Sequence, residues 1–330
     1  MRVAINGFGR IGRLTLRCLL KMDNVEVVAL NDLGNPGVLA HLFRYDSAQG
    51  QFDGEVSADD SSISINGRTI KIFSEKDPEN LPWRSNEIDV VVECTGKFRD
   101  SEGAGKHIKA GAKRVVISAP ARGENVKTIV LGINEDEIGP EDKLISNASC
   151  TTNCLAPVAY LLHKNFGIDK GFINTVHAYT GDQNLQDGPH KDLRRARAAA
   201  MNIVPTTTGA AKTVEIVIPE LKGKLDGLAT RVPTIAGSLT DFTVILNRSV
   251  SVEEVNAVMK EAAAGDFKGL LQYNEDPIVS TDIIGNTHSS IFDAPLTQTN
   301  GNLVKVIMWY DNEMGYSSRT ADLVQYMAGK

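Results

Sequence analysis

Val3-Ala4-Ile5-Asn6-Gly7-Phe8-Gly9-Arg10-Ile11-Gly12 sets three glycines where a short apolar run gives way to a helical stretch. Apolar residues at Ile11, Leu14, Leu16, Cys18 and Leu19 predict a helix over 10–22. A second apolar run, Val25-Glu26-Val27-Val28-Ala29-Leu30, is followed by Asp32, twenty residues beyond Gly12. Strand, glycine turn, helix, strand and acid is the order of a dinucleotide-binding βαβ unit. Gly7 permits the tight turn, Gly9 lets the backbone approach a pyrophosphate, and Gly12 lets the helix pack closely on the strand. The helix start then offers free N–H groups and its positive dipole end to the phosphates. With 29 glycines among 330 residues the bare spacing is a weak signal, so its weight rests on this context. Asp32 can accept hydrogen bonds from both ribose hydroxyls and repels a 2′-phosphate, which points to NAD rather than NADP.

A chain of 330 residues is long for one core and suits two domains. Its formal net charge of −6 gives no electrostatic reason to bind nucleic acid. No apolar run approaches the ~18 residues of a membrane span, and a strand beginning at Val3 leaves no room for a signal peptide. The four cysteines (Cys18, Cys94, Cys150, Cys154) are too few and too irregular for a disulfide framework. These features together predict a reduced, cytoplasmic enzyme.

Through residue 150 short β-branched runs alternate with helical stretches, the pattern of a mostly parallel, doubly wound sheet covered on both faces. Its later strands are read at Val90-Val91-Val92, Val115-Val116-Ile117, Ile129-Val130-Leu131 and Leu144-Ile145-Ser146-Asn147. Ligands bind beyond the carboxyl ends of such strands, which makes Thr95, Gly96, Ser118 and Ala119 candidate cofactor contacts. After residue 165 the texture changes to period-two alternation, as in Phe172–His177, Leu239–Leu246 and Val304–Tyr310, which predicts an antiparallel sheet. A helix is expected over Val252–Ala264 with Ser251 as its N-cap, and a last one over Tyr316–Lys330.

Ala148-Ser149-Cys150-Thr151-Thr152-Asn153-Cys154 directly follows the strand at 144–147. A helix beginning at Ser149 puts Cys150 in its first turn, beside unpaired backbone N–H groups that favour a thiolate. The polar neighbours suit an open cleft, whereas Cys154, just before Leu155-Ala156-Pro157-Val158, reads as core. Pro157 inside that helix predicts a kink near Asn153 or a helix in two parts. A reactive thiol needs a base, and His177, ending an alternating strand, is the best placed of the six histidines. Neither Cys150 nor Cys154 has further Cys or His at zinc-ligand spacing, so no metal site is expected.

The segments Ile5–Arg13, Ala148–Cys154, Val176–Thr180, Asp192–Arg197, Pro205–Lys212 and Trp309–Glu313 together resemble the phosphorylating glyceraldehyde-3-phosphate dehydrogenases, in order and over nearly the whole chain. The resemblance implies a Rossmann-type NAD domain over 1–148 with 313–330, and an α+β catalytic domain with a mixed sheet over 149–312. It also implies a homotetramer and a bacterial, glycolytic type, to which Arg195 is characteristic. By the same resemblance Cys150 is the nucleophile and His177 its base. Ser149, Thr151, Thr208 and Gly209 match the site for inorganic phosphate. Thr180 and Arg231 match the pocket for the substrate's own phosphate, with Arg195 between the two. Gly7, Gly9, Arg10, Ile11, Gly12, Asp32, Lys76, Ser118 and Asn312 match cofactor contacts; Lys76 stands where many members carry arginine. The implied reaction is NAD-dependent oxidation of glyceraldehyde 3-phosphate to 1,3-bisphosphoglycerate through a hemithioacetal and a thioester. Two alternatives differ in their demands. Erythrose-4-phosphate dehydrogenase uses water in place of phosphate, and a surface or RNA-interacting NAD-binding protein would leave the catalytic set unexplained.

Overall fold

The opening run forms a strand buried from Val3 to Asn6, as a strand covered on both faces must be. In the computed structural model, which describes residues 1–328, it is β1 (Arg2–Asn6). Then follow β2 (Glu26–Asn31), β3 (Val56–Ala58), β4 (Ser62–Ile65), β5 (Arg68–Phe73), β6 (Val90–Glu93), β7 (Arg114–Ile117), β8 (Lys127–Thr128) and β9 (Leu144–Ser146). They make one sheet in the order β3-β4-β5-β2-β1-β6-β7-β9-β8. Every pair from β5 to β8 is parallel, while β3 and β4 add an antiparallel edge. From β1 the chain moves first to β2 on one side and later to β6 on the other, the reversal beside which such sheets bind ligands. Helices α1 (Arg10–Leu19), α2 (Pro36–Arg44) and α3 (Ser101–Lys109) connect the strands. These elements form one compact unit, Met1–Ile129 with Asp136–Ala148 and the segment from Ser317 onward.

The second unit comprises Val130–Glu135 and Ser149–Tyr316. It contains α4 (Cys150–Phe166), β10 (Ile168–Ala178), β11 (Val204–Thr207), α5 (Ala210–Val217), β12 (Leu225–Val232), β13 (Ser238–Leu246) and α6 (Val252–Ala264). After them come β14 (Leu271–Asn274), β15 (Ser290–Asp293), β16 (Gln298–Asn300) and β17 (Leu303–Tyr310). Its sheet runs β11-β12-β10-β13-β17-β15-β14, with β16 also on β17. The pairing is mixed, because β10–β12 and β14–β15 are parallel while the other pairs are antiparallel. Burial alternates along all of β13, so the period-two reading reflects a sheet with one face on the core. At α6, Ser251 and Glu254 close a capping box. The last helix, α7 (Met314–Ala328), starts two residues earlier than expected; residues 329–330 lie outside the described residues.

Three local expectations are corrected. The first helix stops at Leu19, where the Lys21 and Met22 N–H groups turn to carbonyls three residues back, at Cys18 and Leu19. Ile129-Val130-Leu131 is not a strand. Pairing ends at Thr128, and the Val130 N–H is taken by Asn134 Oδ1 at 2.9 Å, so a side chain satisfies buried backbone there. Ile129 and Val130 are nonetheless fully buried, and an apolar run alone cannot tell those cases apart. Finally, α4 runs as one helix from Cys150 to Phe166 across Pro157, so it is not a helix in two parts. Its residues from Thr151 to Ala159 are all buried, and this packing holds the helix through the one lost backbone bond.

Candidate active site

In the first unit the three glycines have distinct surroundings. Gly7 has φ +91°, and a Cβ there would lie 2.7 Å from the Thr95 nitrogen. A Cβ on Gly12 would collide with the Gly7 carbonyl oxygen, whereas one on Gly9 would meet nothing within 4 Å. The turn and the helix–strand approach therefore need Gly7 and Gly12, and the space before Gly9 is open. Gly9 is the N-cap of α1 and supplies no side chain to its first-turn N–H groups. That is a cradle suited to a pyrophosphate. Before it lies a cavity of about 500 Å³ whose lining includes Gly7, Gly9, Asp32, Lys76, Thr95 and Phe98. The Asp32 carboxylate is fixed by the N–H groups of Phe8 (2.7 Å) and Gly34 (2.8 Å), one on each oxygen. These features fit NAD.

The other sequence-derived cofactor residues are arranged differently. Arg10 donates to Asp46 at 2.5 Å, and the Ser118 hydroxyl donates to the Glu93 carbonyl at 3.0 Å. Neither these two nor Ile11 and Gly12 line the cavity. Asn312 belongs to the second unit, where its Oδ1 accepts from the Ser238 hydroxyl at 2.9 Å.

The second unit brings the thiol and the imidazole together. Ser149 caps α4, its Oγ accepting from the Thr152 N–H at 3.1 Å, which leaves Cys150 as the first helical residue. From the end of β10, His177 directs Nε2 to within 3.4 Å of the Cys150 Sγ. His177 Nδ1 lies 2.7 Å from the Ala178 carbonyl oxygen, which can only accept, so Nδ1 carries the proton and Nε2 faces the sulfur as an acceptor. Tyr310 closes the rear of the pair: its ring meets His177 edge-on at 5.9 Å. Its hydroxyl lies 2.9 Å from Thr151 Oγ1 and 2.7 Å from Thr175 Oγ1. Tyr310 was not singled out from sequence, since nothing along the chain ties the end of one strand to the start of a distant helix.

The expectation of a depressed thiol is corrected. Burial raises the Cys150 pKa above its ordinary value, and the Arg231 charge with the Thr151 and Cys150 N–H groups offsets only part of that. Burial, reinforced by Arg231, pushes His177 down to about 3. Each group alone thus favours its neutral form, but one proton shared across 3.4 Å lets the two change charge together. Burial pushes Cys94 and Cys154 up to about 12, so neither competes as a nucleophile.

A cluster of guanidinium and hydroxyl side chains lies near the pair. Arg231 Nη1 donates to Thr180 Oγ1 at 2.6 Å and to the Ala178 carbonyl at 3.3 Å. Arg195 donates to Thr206 Oγ1 at 3.0 Å and to the Thr207 carbonyl at 3.2 Å. Asp182, not assigned a role from sequence, accepts from both Thr180 and Arg195. Burial opposes its ionisation, but Thr180, Arg231 and Arg195 outweigh it and hold its pKa low. Thr208 and Gly209 precede α5, where the Thr208 hydroxyl accepts from the Ala210 N–H at 3.2 Å and Gly209 caps the helix without a side chain. The Thr151 hydroxyl is turned inward to Tyr310. Among the described residues no group of three or more His, Cys, Asp or Glu could hold a metal ion.

A dinucleotide-binding α/β unit, with a second unit carrying a paired thiol and imidazole, defines an NAD-dependent dehydrogenase. Residues 1–101 match "Glyceraldehyde 3-phosphate dehydrogenase, NAD binding domain", and residues 149–312 match the C-terminal domain of the same family. The chain belongs to the glyceraldehyde 3-phosphate dehydrogenase family. It is 55% identical to the glyceraldehyde-3-phosphate dehydrogenase of Geobacillus stearothermophilus, covering 100% of this chain and 99% of that protein. With the same coverage it is 56% identical to that of Priestia megaterium. It is also 55% identical to glyceraldehyde-3-phosphate dehydrogenase 1 of Bacillus subtilis, again over 100% of this chain and 99% of the relative.

Proposed function

We propose that this chain oxidises glyceraldehyde 3-phosphate to 1,3-bisphosphoglycerate with inorganic phosphate, using Cys150 as nucleophile and His177 as general base. The observation that carries this reading is the 3.4 Å approach of His177 Nε2 to the Cys150 Sγ at the start of α4. As the sulfur bonds to the aldehyde carbon, its proton passes to Nε2, and the carbonyl oxygen takes a proton to become the hemithioacetal hydroxyl. Bound NAD supplies the two-electron acceptor. During oxidation His177 removes the hydroxyl proton, a task typically worth ~10²–10⁴ in rate, and a thioester remains on Cys150. A phosphate oxygen then bonds to the acyl carbon, the C–S bond breaks with its electron pair going to sulfur, and an acyl phosphate leaves. Charge-assisted donors suit the two phosphates. Thr180 and Arg231 serve the substrate's own phosphate, Ser149, Thr151, Thr208 and Gly209 the attacking one, and Arg195 lies between. Gly7, Gly9, Asp32, Lys76 and Thr95 hold the cofactor, and Arg10, Ile11, Gly12, Ser118 and Asn312 complete that set.

The working form we propose is a cytoplasmic homotetramer. Phe172, Leu185, Leu193, Met201 and Ile203 are between 69% and 83% exposed in the single chain, large apolar side chains that association could cover. Four free cysteines suit a reducing compartment. NADH formation from glyceraldehyde 3-phosphate, with and without phosphate, tests the reaction. Turnover without phosphate, or a preference for erythrose 4-phosphate, overturns it. Light scattering tests the assembly, and a monomer at micromolar concentration would exclude the tetramer.

A further inference from the structure

Beneath the cofactor cavity lies a buried polar chain that the reaction does not use. His107 on α3 and Glu93 at the end of β6 have fully buried side chains, with His107 Nε2 3.1 Å from Glu93 Oε2. The Trp83 indole N–H donates to His107 Nδ1 at 2.9 Å. An indole nitrogen can only donate, so Nδ1 must present its lone pair and the neutral ring must carry its proton on Nε2. Nε2–H therefore donates to Glu93. The Asn6 Nδ2, 3.4 Å from the same nitrogen, is donor facing donor, and its hydrogen bond goes to Glu93 Oε2 at 2.5 Å.

Glu93 passes this constraint to the cavity. Its other oxygen accepts from the Thr95 N–H at 2.7 Å and from the Thr95 hydroxyl. Asn31 donates to Asn6 Oδ1 at 2.7 Å, and Phe98 sets its ring edge-on to His107 at 6.5 Å. Asn6, Asn31, Thr95 and Phe98 all line the cavity. Thr95 is also the residue against which Gly7 abuts. Four donors converge on one buried carboxylate, and removing any one leaves an acceptor without solvent to replace it.

We propose that His107 is a positioning residue for the dinucleotide. Its tautomer is imposed by Trp83, and its Nε2–H fixes Glu93, which in turn fixes Asn6 and Thr95 at the cavity floor. The proposal rests on NAD occupying this cavity.

Two substitutions separate this role from simple packing. His107→Asn keeps an acceptor where Nδ1 meets Trp83 but removes the donor to Glu93. His107→Gln keeps a donor where Nε2 stood and gives up the Trp83 contact. Calorimetry with NAD should show affinity weakened about tenfold or more in His107→Asn, the size expected for losing one charge-assisted hydrogen bond. His107→Gln should stay within about threefold of native, and KM for the sugar phosphate should hold within about twofold in both. Equal weakening in the two variants, no weakening in either, or a larger loss in His107→Gln overturns the proposal. Should the variants fail to fold, the native protein labelled with ¹⁵N-histidine decides. His107 must show protonated Nε2 with bare Nδ1, and NAD must shift that Nε2–H resonance; a protonated Nδ1 or an unmoved signal overturns it. A native protein that binds no NAD would sink the reading of the cavity too, whereas native binding with two indistinguishable variants sinks this inference alone.

Discussion

His177 and Arg231 occupy paired register positions on the parallel strands β10 and β12. The carbonyl of Ala178 accepts from both, from Nδ1–H of the ring at 2.7 Å and from Nη1 of the guanidinium at 3.3 Å. The imidazole that faces the thiol and the cation that donates to Thr180 are thus oriented by one acceptor.

Arg231→Gln should disturb both ends of that arrangement. Losing a charge-assisted donor to a phosphate is worth about 1.5–3 kcal/mol, so KM for the sugar phosphate should rise by roughly 10- to 150-fold. Arg231 also draws the Cys150 pKa down against burial, so the thiol should alkylate at higher pH. NAD affinity measured by calorimetry should stay native.

Cys150→Ser should bind NAD normally and lose turnover by a factor on the order of 10³ or more, because a hydroxyl at this position lacks the acidity and nucleophilicity of a thiol. Alkylation of the native protein should label Cys150 before Cys94 and Cys154, since burial leaves those two at about 12. NADH formation reads the first outcome and mass spectrometry of the modified peptides the second, and early labelling of Cys154 would contradict the assignment.

His177→Asn should slow acylation by ~10²–10⁴ and move thiol alkylation to higher pH. It should also change acid stability. His177 is pushed by burial from its ordinary 6.5 to about 3, so between those values the unfolded chain binds a proton that the folded chain refuses. Native stability from this group is therefore full above 6.5 and is lost as pH falls toward about 3. The slope of Tm against pH across this window should be shallower in the variant. An unchanged slope and an unchanged alkylation profile would show that the ring is neither buried neutral nor paired.

Gly9→Ala and Gly12→Ala separate binding from folding. A Cβ on Gly9 meets nothing within 4 Å, so Tm should hold while NAD affinity falls as the methyl enters the pyrophosphate's space. A Cβ on Gly12 meets the Gly7 carbonyl, and Tm should drop by the equivalent of about 1–3 kcal/mol of overpacking. Equal Tm losses in the two variants would remove the distinction.

Asp32→Asn should weaken NAD binding and narrow its preference over NADP, because the charge that repels a 2′-phosphate is gone. The amide can still accept only at one of the two atoms now held by Phe8 and Gly34, so the loop should loosen as well. An unchanged cofactor preference would show that Asp32 does not select the cofactor.

The sequence by itself determined what is local. The glycine turn, the Ser149 cap over Cys150 and the alternation along β13 are each set by backbone sterics, side-chain reach or a two-residue period within a few positions. Tertiary structure alone decided how distant segments serve one another. It carried α4 intact across Pro157 and turned the buried Ile129-Val130-Leu131 out of the sheet. It also gave Tyr310 to Thr151, and Asp182 to Arg195. Charge balance followed the same division. A helix N-terminus is visible along the chain and argues for a low thiol pKa, but the desolvation that outweighs it arises only when the sheet and helices close around Cys150 and His177.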